Sequence, residues 1–132
     1  MRVADVMTRN VHTVPATMRA PDAWELMRRR RIHHLVVTDG SRVTGVLSDR
    51  DGDGAGGAVL RADSAVADLM ADDVVTIEPT EPLRKAASLM RSRSISCLPV
   101  TQGTHLVGIV TVSDLLDAMA GGGRRRARRV RR

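Results

Sequence analysis

The chain has almost no aromatic side chains: Trp24 stands alone among 132 residues, with no Phe and no Tyr. RNA-reading and single-strand-binding modules that stack bases on aromatic platforms are disfavoured on that ground. A flat ligand would have to lie between aliphatic groups and backbone. Cysteine is nearly absent too. Cys97 is the only one, which excludes an intramolecular disulfide and a Cys-based zinc site. No uninterrupted apolar run approaches the roughly 18 to 20 residues of a membrane span. The opening Met1-Arg2-Val3-Ala4-Asp5 lacks the apolar stretch of a secretory signal. A cytoplasmic protein with no transmembrane segment is the default expectation. Apolar residues still make up 42% of the chain, enough for an aliphatic core and against global disorder.

The formal net charge of +6 belongs to one end of the chain. Arg124 to Arg132 holds seven arginines and no acid, and without them 14 basic side chains face 15 acidic ones. The part that can fold is therefore nearly neutral. Gly121-Gly122-Gly123 precedes the arginine block as a hinge, and such a block cannot bury a core. Residues 121–132 are expected to be a disordered tail. It either contacts nucleic acid or an anionic surface non-specifically, or serves only to solubilise the chain.

The chain repeats itself. Shifted by 63 residues, Val3 to Asp51 aligns without a gap on Val66 to Asp114, and 19 of the 49 positions are identical. Chance gives only a few identities, so there are two copies, 1–62 and 63–120. Two are too few for a solenoid, and a closed pseudo-two-fold pair is expected. Each copy opens with a helical turn, Val3 to Met7 or Val66 to Met70, then a short strand around Val11 to Val14 or Val74 to Ile77. Thr17 and Thr80 read as helix caps. Ala20, Ala23, Trp24 and Met27, and again Leu83, Ala86, Ala87 and Met90, fall at helical spacing and predict one apolar stripe per helix. Leu35 to Thr38 and Val43 to Ser48 flank Asp39-Gly40, and Leu98 to Thr101 and Leu106 to Thr111 flank Gln102-Gly103. Both read as hairpins with a glycine turn. A last helix carries Val112, Leu115, Leu116 and Met119. The pattern per copy is β-α-β-β-α, an α/β fold.

One motif recurs at matched positions: Gly, apolar, any residue, Ser or Thr, two residues, Asp. It stands as Gly45-Val46-Leu47-Ser48-Asp49-Arg50-Asp51 and as Gly108-Ile109-Val110-Thr111-Val112-Ser113-Asp114. With the entry segment Asp5-Val6-Met7-Thr8 and the junction Ile95-Ser96-Cys97-Leu98-Pro99-Val100, it resembles the CBS domain, usually found as a tandem pair. The resemblance covers residues 1 to about 120. It implies a regulatory module that is not an enzyme and has no obligatory cofactor. Its ligand would be an adenosyl nucleotide (AMP, ADP, ATP, NAD or S-adenosylmethionine) in clefts between the repeats.

Carried over, the resemblance makes Val11-His12, Val74-Val75, Ile32-His33 and Ile95-Ser96 the adenine-side walls. Ser48, Asp51, Thr111 and Asp114 become the ribose and phosphate positions, while Arg50 either reaches phosphate or is a solvated charge. The chemistry suits these types: a carboxylate accepts from both ribose hydroxyls, and hydroxyl and backbone N–H groups at a helix start suit phosphate. Asp51 and Asp114 could equally be helix caps. Three departures stand out. Gly52 to Gly57 is glycine-rich where a helix is expected, His33-His34 replaces small residues, and Val36 stands where the second copy has Pro99. The family commonly forms homodimers, and the helical stripes here suit one.

Other features carry less. Asp49, Asp51, Asp53 and Gly54 match the start of a calcium loop, but Leu60 stands where its last ligand, a Glu, is required. His12, His33, His34 and His105 have no zinc spacing, and Cys97 has no base placed beside it by motif. Arg28 to Arg31 complements a helix C-terminus or faces phosphates. No nucleophile–base pair is readable. The competing function is a nucleic-acid-binding or oligomerising scaffold acting through the tail.

Overall fold

The computed structural model describes residues 1–49 and 64–121. Arg50, Asp51, the glycine-rich loop, the rest of the calcium-like loop and the arginine block lie outside the described residues. Two compact units form, one from Val11–Val74 and one from Met1–Asn10 with the chain from Val75 onward.

In the Val11–Val74 unit, β1 (Thr13–Val14), α2 (Ala20–Arg30), β2 (His34–Asp39), β3 (Arg42–Ser48) and a short α3 (Val66–Leu69) follow in order. Strand β1 runs parallel to β2, and β2 is antiparallel to β3. Ala23 and Met27 of α2 pack with Val14, Leu35, Val37, Leu47 and Val66, and Trp24 lies half-buried against this core. The second unit opens with α1 (Val3–Val6) and continues with α4 (Leu83–Arg93), β4 (Cys97–Gln102), β5 (His105–Thr111) and α5 (Val112–Met119). Its short first strand is reduced to one parallel bridge, Ile77 with Val100. Val3, Val6, Met7, Ala86, Met90, Leu98, Val100 and Val110 are its core. Each buried aliphatic side chain contributes about 1.5–3 kcal/mol, so neither core needs an aromatic centre.

The hairpins form as the glycine turns predict. Asp39 pairs with Arg42 and Gln102 with His105, which leaves two-residue loops whose first members, Gly40 and Gly103, have φ of 63° and 62°. Two-residue hairpins favour positive φ there. Both hairpins also carry a register shift at the same place, after Val37 and after Val100.

Thr17 and Thr80 do not cap the long helices. The N-caps are Arg19 and Pro82, with no side-chain cap hydrogen bond. Backbone from the entry segments does the capping. Leu83 donates its N–H to the Met1 carbonyl at 2.9 Å, while Val3 and Ala4 donate to Glu81 and Pro79 at 2.9 and 3.0 Å. Ala20 likewise donates to Ser64 at 2.8 Å, and Val66 and Ala67 donate to Met18 and Ala16 at 2.8 and 3.0 Å. Each sequence repeat thus places its entry helix in the unit built on the other repeat. Asp5 and Asp68, matched in the repeat, accept from the Arg2 and Ala65 N–H groups and close the entry turns.

The stripes are also redrawn. Leu89 packs inward while Ala87 is exposed. On α5, Leu115 and Ala118 face the core, whereas Val112, Leu116 and Met119 are 40%, 59% and 84% exposed. Among the described residues no helix is long and apolar enough to cross a membrane.

The motif glycines sit where an entry segment pairs with β3 or β5. Thr8 and Ile109 exchange backbone hydrogen bonds at 2.8 and 2.9 Å, and Ala71 and Val46 do so at 2.9 and 3.0 Å. A Cβ on Gly108 would lie 2.8 Å from the Met7 sulfur and 2.9 Å from the Thr8 carbonyl oxygen. Gly108→Ala is therefore expected to destabilise the protein by about 1–3 kcal/mol in a urea melt, as overpacking does. Gly103→Asn, in open space at a left-handed turn where Asn is tolerated, should change it far less.

Candidate functional site

In the Val11–Val74 unit the fold gathers the candidate residues at one end of its sheet. Thr13 pairs with Val36 and His34 with Ser48, so Val11 and His12 before β1, Ile32 and His33 before β2, and Ser48 ending β3 share that edge. The His12 carbonyl accepts the Val36 N–H at 3.2 Å. Ile32 and Ser48 are half-buried and His33 is exposed.

Asp49, read from the sequence only as part of a calcium-like loop, belongs here. Its N–H donates to the His33 carbonyl at 2.9 Å, and its Oδ2 lies 2.5 Å from His33 Nδ1. The signal that could have found it is the repeat itself, because Val112 stands at the matching position. The motif residues Arg50 and Asp51 lie outside the described residues.

In the second unit Cys97 pairs with Thr111, and Val112 donates its N–H to the Ser96 carbonyl at 3.0 Å. Ile95 and Ser96 therefore sit beside the junction of β5 with α5. Val75 leads to Ile77 in this unit, while Val74 closes the other one.

Thr111 and Asp114 form a reciprocal cap on α5. Asp114 Oδ2 accepts from the Thr111 backbone N–H at 2.9 Å and from its hydroxyl at 3.1 Å, while Thr111 Oγ1 accepts from the Asp114 N–H at 3.2 Å. Asp114 is 5% exposed. Of the two readings for this residue, the cap is present in the fold. Two of these bonds end on Oδ2 and the third on the Thr111 hydroxyl, so side chain and backbone of both residues close the start of α5. Cys97 is buried in β4.

Two gapless repeats, each a hairpin whose second strand runs from a closely approached glycine to Ser or Thr, define a tandem domain of one class. The family model of the CBS domain matches residues 3–51 and 66–121, and the chain belongs to that family. It is 30% identical over 120 residues to the CBS domain-containing protein YhcV of Bacillus subtilis, covering 86% of this chain and 81% of that one. It is 35% identical over 117 residues to a homoserine O-acetyltransferase of Methanocorpusculum labreanum, covering 87% of this chain and 23% of the enzyme. The chain thus spans about a quarter of the length of the acetyltransferases it matches.

Among solved structures, a protein designated AcuB from Vibrio cholerae aligns with a TM-score of 0.78 at 32% identity, covering 92% of this chain and 91% of that one. The CBS domain pair of protein MJ0100, in complex with 5′-methylthioadenosine and S-adenosyl-L-methionine, aligns with a TM-score of 0.80 at 23% identity, covering 92% and 98%.

The cap can be tested apart from any ligand. Thr111→Val keeps the shape and removes the hydroxyl, and should cost about 0.5–2 kcal/mol in chemical denaturation. Thr111→Ser should retain most of that stability.

Proposed function

We propose that this chain is a cytoplasmic regulatory sensor that binds an adenosyl nucleotide (AMP, ADP, ATP or S-adenosylmethionine) and catalyses no reaction. The observation that carries the reading is the junction of β5 with α5, where Thr111 and Asp114 form a reciprocal cap and the Val112 N–H meets the Ser96 carbonyl. A carboxylate suits the ribose diol, a hydroxyl and helix-start N–H groups suit phosphate, and half-buried aliphatic residues suit adenine. The adenosyl compounds bound by MJ0100 support the ligand class, while its likeness to this chain speaks for the fold alone. The matching role in the first repeat falls to Ser48, Asp51 and, toward phosphate, Arg50, with Val11, His12, Ile32 and His33 around them. Val74 and Val75 are their counterparts to Val11 and His12. Regulation requires that the ligand bind two conformations with unequal affinity.

A thermal-shift and calorimetric screen against these ligands, with guanosine analogues as controls, tests the reading. A ligand at 100 times its Kd should stabilise the fold by about 2.7 kcal/mol. Asp114→Asn should weaken binding at least about tenfold, as loss of a charged hydrogen-bond acceptor does. Absence of binding by every adenosyl ligand at millimolar concentration would leave Asp114 as a cap alone.

The exposed Val112, Leu116 and Met119 on one face of α5 support a homodimer through this helix. Leu116→Glu with Met119→Glu should shift sedimentation toward monomer while leaving the melting temperature of the monomer little changed.

A further inference from the structure

The last helix keeps an apolar face in water. Val112, Leu116 and Met119 are all exposed, and their spacing of four and then three residues puts them on one side of α5. Leu115 and Ala118 pack against the core instead, and Asp114 is buried in the cap. The repeat does not ask for this face. The matching positions of the first copy are Asp49, Asp53 and Gly56.

The surroundings of the face are cationic. Helix α4 packs beside α5 and exposes Arg84, Lys85, Arg91 and Arg93, with no acid along its length. Lys85 pairs with Glu81, which precedes the helix. The counterpart helix α2 sets Asp22 and Glu25 against its own arginines. On α5 the acid outside the cap, Asp117, is half-buried. Past the helix, Gly121-Gly122-Gly123 leads to seven arginines without an acid. Met119 and Arg124 are five residues apart, a span of at most about 18 Å, so both can meet one surface.

This combination selects among partners. Exposed Leu and Met side chains gain nothing from a phosphate backbone in water, and the unit that carries them has no Trp, Tyr or Phe on which to stack a base. A second copy covers the apolar side chains but brings a second set of seven arginines to the same seam. An anionic bilayer takes up the apolar side chains and neutralises the arginines together.

We propose that α5 and the arginines that follow it form a peripheral binding surface for an anionic lipid bilayer. Val112, Leu116 and Met119 enter the boundary between headgroups and acyl chains, and the arginines of 124–132 meet the lipid phosphates. A second copy and the bilayer exclude each other on this face, so a dimer parts there before it meets lipid. Adenosyl binding plays no part in the contact.

The full chain is floated with vesicles of phosphatidylglycerol and phosphatidylcholine, and with phosphatidylcholine alone. Binding to the anionic vesicles is expected, weaker by about tenfold or more on the neutral ones and reversed by about 0.5 M NaCl. Leu116→Gln with Met119→Gln keeps charge and helix propensity. It should weaken binding to the anionic vesicles about tenfold or more, since each CH2 buried in lipid contributes about fourfold. Its binding to duplex DNA should match that of the wild type. Met119→Cys takes a polarity-sensitive dye while Cys97 stays buried, and brominated acyl chains should quench that dye, whereas a seam between two copies would shield it. No binding to anionic vesicles, or equal binding to neutral ones, overturns the proposal. So does undiminished vesicle binding by the double variant or an unquenched dye, either of which leaves a charge-only contact as open to nucleic acid as to lipid. An equal loss on DNA also overturns it, because the two apolar side chains would then not be reading lipid.

Discussion

Each unit depends on one close approach of backbone to backbone, where an entry segment lies against the strand that carries the motif glycine. Thr8 exchanges two hydrogen bonds with Ile109, and Ala71 exchanges two with Val46. A side chain at Gly108 or Gly45 would intrude on the sulfur of Met7 or Met70 and on the carbonyl oxygen of Thr8 or Ala71. With that contact made, the entry helix lies over the core and the backbone just before it accepts the first N–H of the long helix, Met1 from Leu83 and Ser64 from Ala20. That donor, one of the orphans of any helix start, is met without a capping side chain.

The same constraint divides labour within the motif. Its glycine serves packing, while in the second repeat its hydroxyl ends β5 and its carboxylate lies buried in the first turn of α5. In the second repeat these two groups are locked into a reciprocal cap. The cap holds a buried carboxylate in a fixed position at the start of α5. The first repeat keeps the strand-end hydrogen bond but adds an ionisable pair, His33 with Asp49. Near-identical backbone frames therefore carry different side chains at the strand end, because the hydrogen bonds that set the frame use main-chain atoms.

An aliphatic core suits this plan. Two small units, each with a few strands and one long helix, are filled by Val, Leu, Met and Ala without rings. The single indole, Trp24, is only half-buried at the edge of its core. The apolar residues left over on α5 are exposed together, on one face, rather than scattered.

Much of this was legible in the sequence, and the boundary has a physical basis. Helical spacing placed α2 and α4, alternation with a glycine turn placed both hairpins, and the gapless repeat with its Gly–Ser/Thr–Asp motif identified the family and the strand-end candidates, because these signals are local and periodic. The exchange of entry helices, backbone capping in place of Thr17 and Thr80, and the outward turn of Leu116 were decided only by tertiary structure. So was the pairing of His33 with Asp49. They rest on contacts between segments distant in sequence, made largely by main-chain atoms, which every residue carries alike and which therefore leave no mark in the order of side chains.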